Sequence, residues 1–163
     1  MMIQPKPPGF KDNVYSFSFA VDAPETKVWN WLNDTKTFTD TQYWPWKVEF
    51  YSPDPGKVEN GFEEGVLTNH HGPLVNFAGI LTKIKKNKYR DLQYAYGSYA
   101  ISFRWFRPYR LEFETEEVDH KTTIRGTLST YTKPGLDGLW TRSQKMFWGR
   151  FQKWATKSIA RTS

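Results

Sequence analysis

The alternation of apolar and polar residues along the chain indicates a series of β-strands. In the first such stretch, Tyr15, Phe17 and Phe19 fall on one side and Ser16 and Ser18 on the other. A period of two is typical of a strand with one buried face. Similar stretches, separated by turn signals, continue to residue 132. The predicted strands cover residues 13–21, 43–52, 62–71, 74–87, 89–97, 109–119 and 122–132.

Two short helices are predicted directly after the first strand. Pro24 suits the start of a helix, where its missing N–H is not needed, and Glu25 complements the positive end of the helix dipole. Val28, Trp31 and Leu32 then form an inner stripe that ends near residue 33. Residues 35–42 indicate a second short helix or a turn before the next strand.

The stretch from about residue 136 to residue 160 is predicted to form one long amphipathic helix. Its polar side carries Arg142, Lys145, Lys153 and Lys157. No other helix in the chain is comparable, so the apolar side must pack against the sheet. The sequence therefore predicts an α+β fold in which a curved antiparallel sheet of about seven strands wraps around this helix. The apolar side comprises Leu136, Trp140, Phe147, Phe151, Trp154 and Ser158.

The length and composition favour a single domain. A chain of 163 residues can bury a substantial core without disulfides. Residues 1–11 carry Pro5, Pro7, Pro8 and Gly9, and we interpret them as a flexible N-terminal arm before a domain that spans residues 12–163. The chain has no cysteine, no signal-peptide pattern and no apolar run of membrane-spanning length, so we expect a cytoplasmic protein.

Three segments of the sequence resemble one known superfamily. Residues 21–34 (VDAPETKVWNWLND) resemble its first strand and the following helix, and residues 43–51 (YWPWKVEFY) resemble the Trp-Pro-Trp element of its second strand. Residues 147–159 (FWGRFQKWATKSI) resemble its long C-terminal helix. The superfamily is START/SRPBCC, which has the helix-grip fold and includes polyketide cyclase-like proteins, lipid-transfer START domains and birch-pollen-allergen relatives. Residues 98–108 (SYAISFRWFRP) look longer than the usual connection, and as an insertion they would reshape or cover the pocket.

The resemblance implies a hydrophobic cavity between the concave face of the sheet and the long helix. Such a space either takes a small molecule or is filled by its own side chains. The first hypothesis is a carrier or sensor that binds a small hydrophobic or aromatic ligand, of the lipid, polyketide or isoprenoid kind. By alternation, the candidate wall residues are Phe50, Val66, Phe77, Tyr94, Tyr96, Phe113, Leu128, Phe147, Phe151 and Trp154.

The second hypothesis is an enzyme of the cyclase or dehydratase kind. A titratable group that faces an apolar cavity can exchange protons with a ligand. The candidates are Glu64, His70, Tyr94 and Tyr96, although Glu64 in its Glu-Glu-Gly run also fits a solvated strand start. His70 and His71 are neighbours on a strand and point to opposite faces, so they cannot chelate a metal together. Cofactor motifs and nucleophile elbows are missing from the sequence, so we expect no metal and no cofactor.

The net charge of +6 is concentrated in the long helix. Six bases and no acids follow Asp137, while the other 17 bases balance the 17 acids. A solvated basic face is the ordinary explanation, and weak contact with an anionic membrane or a lipid headgroup is the third hypothesis. The basic and aromatic run at residues 104–110 is accompanied by no RNA-binding motif, so nucleic acid is not an expected partner.

Overall fold

A computed structural model of the chain describes residues 4–40, 42, 44–52, 54, 62–99 and 104–161, with the backbone alone at 98 and 99. Within these residues the chain forms seven strands and three helices in the predicted order. Residues 100–103, in the middle of the predicted insertion, lie outside the described residues. The elements are β1 (Lys11–Val21), α1 (Glu25–Asn33), α2 (Thr35–Thr39), β2 (Lys47–Tyr51), β3 (Leu67–Gly72), β4 (Val75–Lys85), β5 (Tyr89–Tyr99), β6 (Phe106–Val118), β7 (Lys121–Thr132) and α3 (Asp137–Arg161).

The seven strands join in one antiparallel sheet in the order β1-β7-β6-β5-β4-β3-β2. The predicted helix-grip architecture is confirmed: a curved antiparallel sheet, two short helices after the first strand and a long C-terminal helix. The third strand begins at Leu67 instead of residue 62. It begins later because the preceding residues form a turn in which the Val66 N–H donates to the Glu63 carbonyl.

The long helix α3 packs on the inner face of the sheet through a stripe of buried residues. The predicted residues Phe147, Trp154 and Ser158 flank this stripe and are only half-buried. The prediction missed the polar member of the stripe, Gln144, whose Oε1 accepts a hydrogen bond from Trp148 Nε1 at 3.1 Å. Gln144 Nε2 in turn donates to Ser143 Oγ at 3.4 Å, so the polar groups of the buried pair have partners. The buried stripe is Trp140, Gln144, Trp148, Phe151, Ala155 and Ile159.

Aromatic rings fill most of the space between α3 and the sheet. Phe17 stacks on Trp148 with ring centroids 4.0 Å apart. Phe151 meets Phe19 and Trp31 edge-on, each at 6.2 Å. Rings in these offset and edge-on arrangements gain favourable contacts beyond the area they bury. The helix is therefore held mainly by ring packing.

The polar side of α3 is basic and exposed, as predicted. Arg142, Lys145, Lys153 and Lys157 all lie on the solvent side. The helix has 25 residues and is about 37 Å long at the standard rise per residue. No helix among the described residues is both long and apolar enough to cross a membrane.

A bulge in β5 changes which side chains face inward. Gly79 of β4 pairs with Tyr94, but Ala78 pairs with Tyr96, so Ala95 is an extra residue. Tyr94 stays on the inner face, whereas Tyr96 is 58% exposed on the other face. The alternation that placed these two tyrosines together therefore fails at this point.

A second bulge has the same effect in β6. The pairing with β7 shifts between Pro108 and Arg110, which leaves Tyr109 unpaired. The ring of Tyr109 stacks on Tyr131 at 4.3 Å on the outer face. Simple alternation with Leu111 and Phe113 would place Tyr109 on the inner face, but one extra residue in a strand exchanges its two faces.

The side chain and backbone of Gln4 bridge a gap in the sheet. Between residues 93 and 99, the register of β5 with β6 is interrupted. There the Gln4 backbone N–H donates to the Tyr94 carbonyl at 3.2 Å, and its Nε2 donates to the Pro108 carbonyl at 2.9 Å. Its Oε1 accepts from Arg107 Nε at 2.8 Å. Gln4 thus satisfies groups that strand pairing leaves free.

Gly126 on β7 provides the space for a core ring, which gives a test of the packing. A Cβ at this position would lie 2.0 Å from Phe17 Cζ. We expect Gly126→Ala to lower the free energy of unfolding by about 1–3 kcal/mol, because the overpacked ring must shift. Urea denaturation measures the change. Gly149→Ala, where an added Cβ meets no atom within 4 Å, is the control and should be neutral or stabilising. Equal losses in the two variants would contradict the explanation.

Candidate functional site

Two small cavities lie side by side between the inner face of the sheet and α3. Their volumes are about 60 Å³ and about 50 Å³. Because they share half of their lining residues, they are compartments of one space, which we call the central cavity. The shared residues are Gln42, Val48, His70, Leu111, Phe147 and Trp148.

His70 on β3 faces both compartments. Its cross-strand partner is the buried Val48, and its ring stacks on Phe77 at 5.2 Å and meets Tyr94 edge-on at 5.3 Å. The Nε2 atom is buried and has no hydrogen-bond partner among the described residues. Burial, with a smaller effect of the nearby Arg90 charge, lowers the pKa of His70 to about 3. The ring is therefore neutral at pH 7.

Gln42 and Tyr94 add further polar groups to this space. Gln42 lines both compartments, and its Oε1 is buried without a hydrogen-bond partner in the described part of the chain. Tyr94 lines the smaller compartment and is 1% exposed. The central cavity therefore combines an apolar wall with a few inward polar atoms, as is usual for small-molecule sites.

Arg90 on β5 lines the larger compartment and is 5% exposed. Its Nη1 donates a hydrogen bond to the carbonyl of Leu32 in the last turn of α1. The guanidinium carbon lies 4.2 Å from the ring centroid of Phe62 and 5.0 Å from that of Phe113. Burial lowers the pKa of Arg90 to about 9, so the side chain stays positively charged at pH 7.

Strand alternation separates Arg90 from the acid next to it. Asp91 points to the outer face, where it accepts hydrogen bonds from Arg110 Nε at 2.8 Å and Thr82 Oγ1 at 2.7 Å. Because successive side chains on a strand point to opposite faces, Asp91 does not pair with Arg90. The two arginines thus lie in different settings, one paired at the surface and one buried at the cavity.

More than half of the predicted wall residues line the central cavity. Phe50 instead contacts Phe62 at 4.7 Å, and Val66 and Trp154 pack in or beside the core. Tyr96 lies on the outer face. The predicted residues that do line the central cavity are Phe77, Tyr94, Phe113, Leu128, Phe147 and Phe151.

The four candidate acid/base residues lie in different places. His70 and Tyr94 are both at the central cavity. Glu64 is exposed, and its Oε1 accepts a backbone N–H of β4 at 2.8 Å. Tyr96 is exposed on the outer face. His71 points away from His70, and its Nε2 lies 3.0 Å from a carboxylate of β2.

Sequence reasoning missed Arg90, although a signal for it existed. The alternation that places Leu92 and Tyr94 on the inner face places Arg90 there as well. A charged residue is rarely buried without a partner, so the residue type argues against an inward position for Arg90. Gln42 and Trp148 were also missed. Gln42 follows α2 outside regular structure, where no periodicity applies.

A wider open groove of about 730 Å³ lies outside the central cavity, on the other face of β3 and β4. Leu67, Ile80 and Glu64 are among its lining residues. Unlike the central cavity, this groove has neither an arginine nor a histidine among its described lining residues. The candidate site is therefore the central cavity.

Solved structures of other proteins share this fold. Ara h 8.0201 matches with a TM-score of 0.64 and 14% identity, over 92% of this chain and 99% of that one. Norcoclaurine synthase from Thalictrum flavum, in complex with dopamine and hydroxybenzaldehyde, matches with a TM-score of 0.65 and 9% identity, over 95% and 90%. A protein from Mesorhizobium loti matches with a TM-score of 0.65 and 14% identity, over 93% and 99%.

No family model matches the sequence, and a search of curated proteins found no match. The structural matches confirm the helix-grip fold predicted from the resemblance to the START/SRPBCC superfamily. At 14% identity or less, they show the fold alone.

The neutral state of His70, whose Nε2 atom is buried, makes the stability of the protein depend on pH. Its pKa falls from 6.5 to about 3 on folding, so between these values the unfolded chain binds a proton that the folded chain does not. The contribution of His70 is complete above pH 6.5 and is lost as the pH falls toward 3. We expect this loss to be on the order of a few kcal/mol.

The variant His70→Phe should flatten this part of the stability profile, as measured by urea unfolding at several pH values from 7 down to 4. Other groups also titrate in this range, so the difference between variant and wild type is the relevant quantity. His120→Phe is the control, because the His120 side chain is 95% exposed. If His70→Phe and wild type lose stability in parallel, the ring is not held neutral by burial.

Proposed function

We propose that the protein binds a small hydrophobic or aromatic ligand in the central cavity. The strongest support comes from His70 Nε2 and Gln42 Oε1, which are buried and have no partners among the described residues. Buried polar atoms in native proteins are nearly always hydrogen-bonded, and each unsatisfied one costs about 1–3 kcal/mol. A polar group of a ligand that bonds to either atom removes part of this cost.

The size of the central cavity sets a condition on the ligand. The compartments of about 60 and 50 Å³ are each smaller than the cavity of roughly 150 Å³ that holds benzene in another protein. Even joined, the two compartments fall short of this volume, so an aromatic ring also requires a side chain to move. Phe147 lines both, is half-buried, and contacts Trp46 edge-on at 4.8 Å. We infer that the Phe147 side chain moves when a ligand binds.

The aromatic lining favours ligands that contain a ring. Phe113, Phe151 and Trp148 offer the faces and edges against which another ring packs favourably. One protein of the same fold, norcoclaurine synthase, is described in complex with dopamine and hydroxybenzaldehyde. These two molecules are small and aromatic, so the fold is compatible with the proposed class of ligand.

An enzyme of the cyclase or dehydratase kind is the second candidate function, with His70 and Tyr94 as the groups at the cavity. A general base works best when its pKa is near the working pH. With a pKa of about 3, His70 is a weak proton acceptor at neutral pH. A neutral ring that forms a hydrogen bond suits the orientation of a ligand better. We therefore place binding ahead of catalysis.

The basic side of α3 supports a third candidate, weak contact with an anionic lipid surface. The six bases after Asp137 form no ion pair with any described residue. Leu139 and Met146 are also exposed on this helix. Each lysine or arginine near an anionic membrane contributes about 1 kcal/mol of attraction, and exposed apolar side chains can insert between headgroups.

Changing the size of the central cavity should change the uptake of a neutral aromatic probe. Indole binding can be followed by amide NMR titration. Phe147→Ala removes a ring shared by both compartments and should strengthen indole binding by about tenfold, equivalent to about 1.4 kcal/mol. Val48→Phe fills the shared wall and should abolish binding. Val14→Phe, at a residue that is 60% exposed on β1, is the control and should bind as wild type does. If neither Phe147→Ala nor Val48→Phe changes the affinity for indole, indole binds outside the central cavity.

Contact with lipid through α3 should depend on charge. Cosedimentation with vesicles of phosphatidylserine and phosphatidylcholine should exceed that with phosphatidylcholine alone, and should decline as salt rises. The double variant Lys145→Gln/Lys153→Gln should weaken the association. Lys83→Gln/Lys85→Gln, which removes two exposed charges from β4, is the matched control. Association that is insensitive to salt, or equally weakened by the control, would rule out this surface.

A further inference from the structure

Arg90 is a buried positive charge on the wall of the central cavity. Within the described residues, no Asp or Glu forms an ion pair with it. The adjacent acid, Asp91, is bound to Arg110 on the outer face. A charge in an apolar interior is unfavourable by several kcal/mol unless another group compensates it. This position on the wall of the central cavity therefore needs a physical explanation.

The protein compensates the charge only in part. The carbonyl of Leu32 lies in the last turn of α1, where the helix dipole favours a cation. The ring faces of Phe62 and Phe113 also attract the guanidinium. A guanidinium has five N–H donors, and only Nη1 has a hydrogen-bond acceptor among the described residues. The net charge and most of the donors remain available to a further group.

We propose that the ligand of the central cavity is an aromatic carboxylate whose carboxylate group pairs with Arg90; this inference rests on the proposed function of the cavity as a binding site. The forked N–H groups of a guanidinium match the two oxygens of a carboxylate. His70 lines the same compartment, and in the tautomer with its proton on Nε2 it donates a second hydrogen bond to the carboxylate. The ring of the ligand then lies against Phe113, Phe151 and Trp148.

The charges at the site favour a carboxylate over other polar groups. Arg90 is the buried cation of the central cavity, and His70 is neutral at pH 7. A single negative charge is therefore balanced, whereas a phosphate monoester, with about −1.5 to −2 charges, would leave negative charge unpaired in the core. A simple phenol has a pKa of about 10 and is neutral at pH 7, so it would leave Arg90 uncompensated. Carboxylic acids are ionised at this pH and carry one charge.

Benzoate and benzamide form a matched pair of probes, since they have the same ring and nearly the same shape but differ in charge. Titration calorimetry of the full chain at pH 7.5 compares their affinities for the wild type and for Phe147→Ala, which has a larger cavity. Benzoate should bind at least about tenfold more tightly than benzamide. Arg90→Gln should lower the affinity for benzoate by at least about tenfold and remove its advantage over benzamide.

The matched control is Arg125→Gln on the outer face. The Arg125 side chain is 51% exposed and lies 2.7 Å from a carboxylate oxygen of Glu116. This variant lowers the net charge by the same amount as Arg90→Gln, and it should keep the full preference for benzoate. If the preference for benzoate over benzamide falls equally in both variants, it arises from the general positive charge of the protein, and the inference is overturned.

The outcomes separate this inference from the proposed function. If benzamide binds as tightly as benzoate, the carboxylate inference is wrong and the cavity remains a binding site. If neither probe binds to the wild type or to Phe147→Ala, the proposed function fails, and the inference fails with it. If Arg90→Gln does not fold, Arg90→Lys keeps the charge but loses the forked geometry. Arg90→Lys should weaken benzoate binding more than benzamide binding, and equal weakening of both would overturn the proposal.

Discussion

The packing of one long helix against the concave face of a single sheet is the constraint on which the rest of this structure depends. The sheet supplies the apolar side chains of alternate residues on seven strands, and α3 supplies a stripe that includes Trp140, Trp148 and Phe151. Neither surface can be buried without the other, because the remaining helices have only nine and five residues. The aromatic rings between them determine the shape and volume of the central cavity. Large rigid rings pack closely over most of the interface but cannot close it completely, so small compartments remain.

The polar residues at the central cavity carry an energetic cost that an apolar core would avoid. His70 is held neutral, and Arg90 keeps its charge against the C-terminal turn of α1 and the faces of aromatic rings. Replacing such buried polar groups with apolar residues is often neutral or stabilising in proteins. Their presence on the wall of a cavity is therefore more easily explained by an interaction with a ligand than by the stability of the fold. The same argument does not apply to Gln144, which accepts a hydrogen bond from Trp148 and donates one to Ser143.

The irregular positions of the sheet determine which residues reach the site. The bulge at Ala95 keeps Tyr94 at the cavity and moves Tyr96 to the outer face, and the bulge at Tyr109 acts in the same way in β6. Where β5 and β6 separate, Gln4 supplies the missing hydrogen bonds. A segment at the start of the chain thus supports the strands that carry Tyr94 and Arg90, although it contributes nothing to the wall of the cavity.

Local patterns in the sequence determined the order of the strands and helices and the α+β class, because hydrophobic periodicity reports which face of an element is buried. They identified Trp140 and Phe151 as residues of the long helix that face the sheet. They also placed Phe77, Phe113, Leu128 and Phe151 on the inner face. Only the tertiary structure showed that most of the predicted cavity is filled by rings and that two bulges reverse the local alternation. It also brought His70, Arg90 and Gln42 together from β3, β5 and the segment after α2. Periodicity describes one element at a time, whereas a cavity and its charges depend on distances between side chains from elements far apart in the chain.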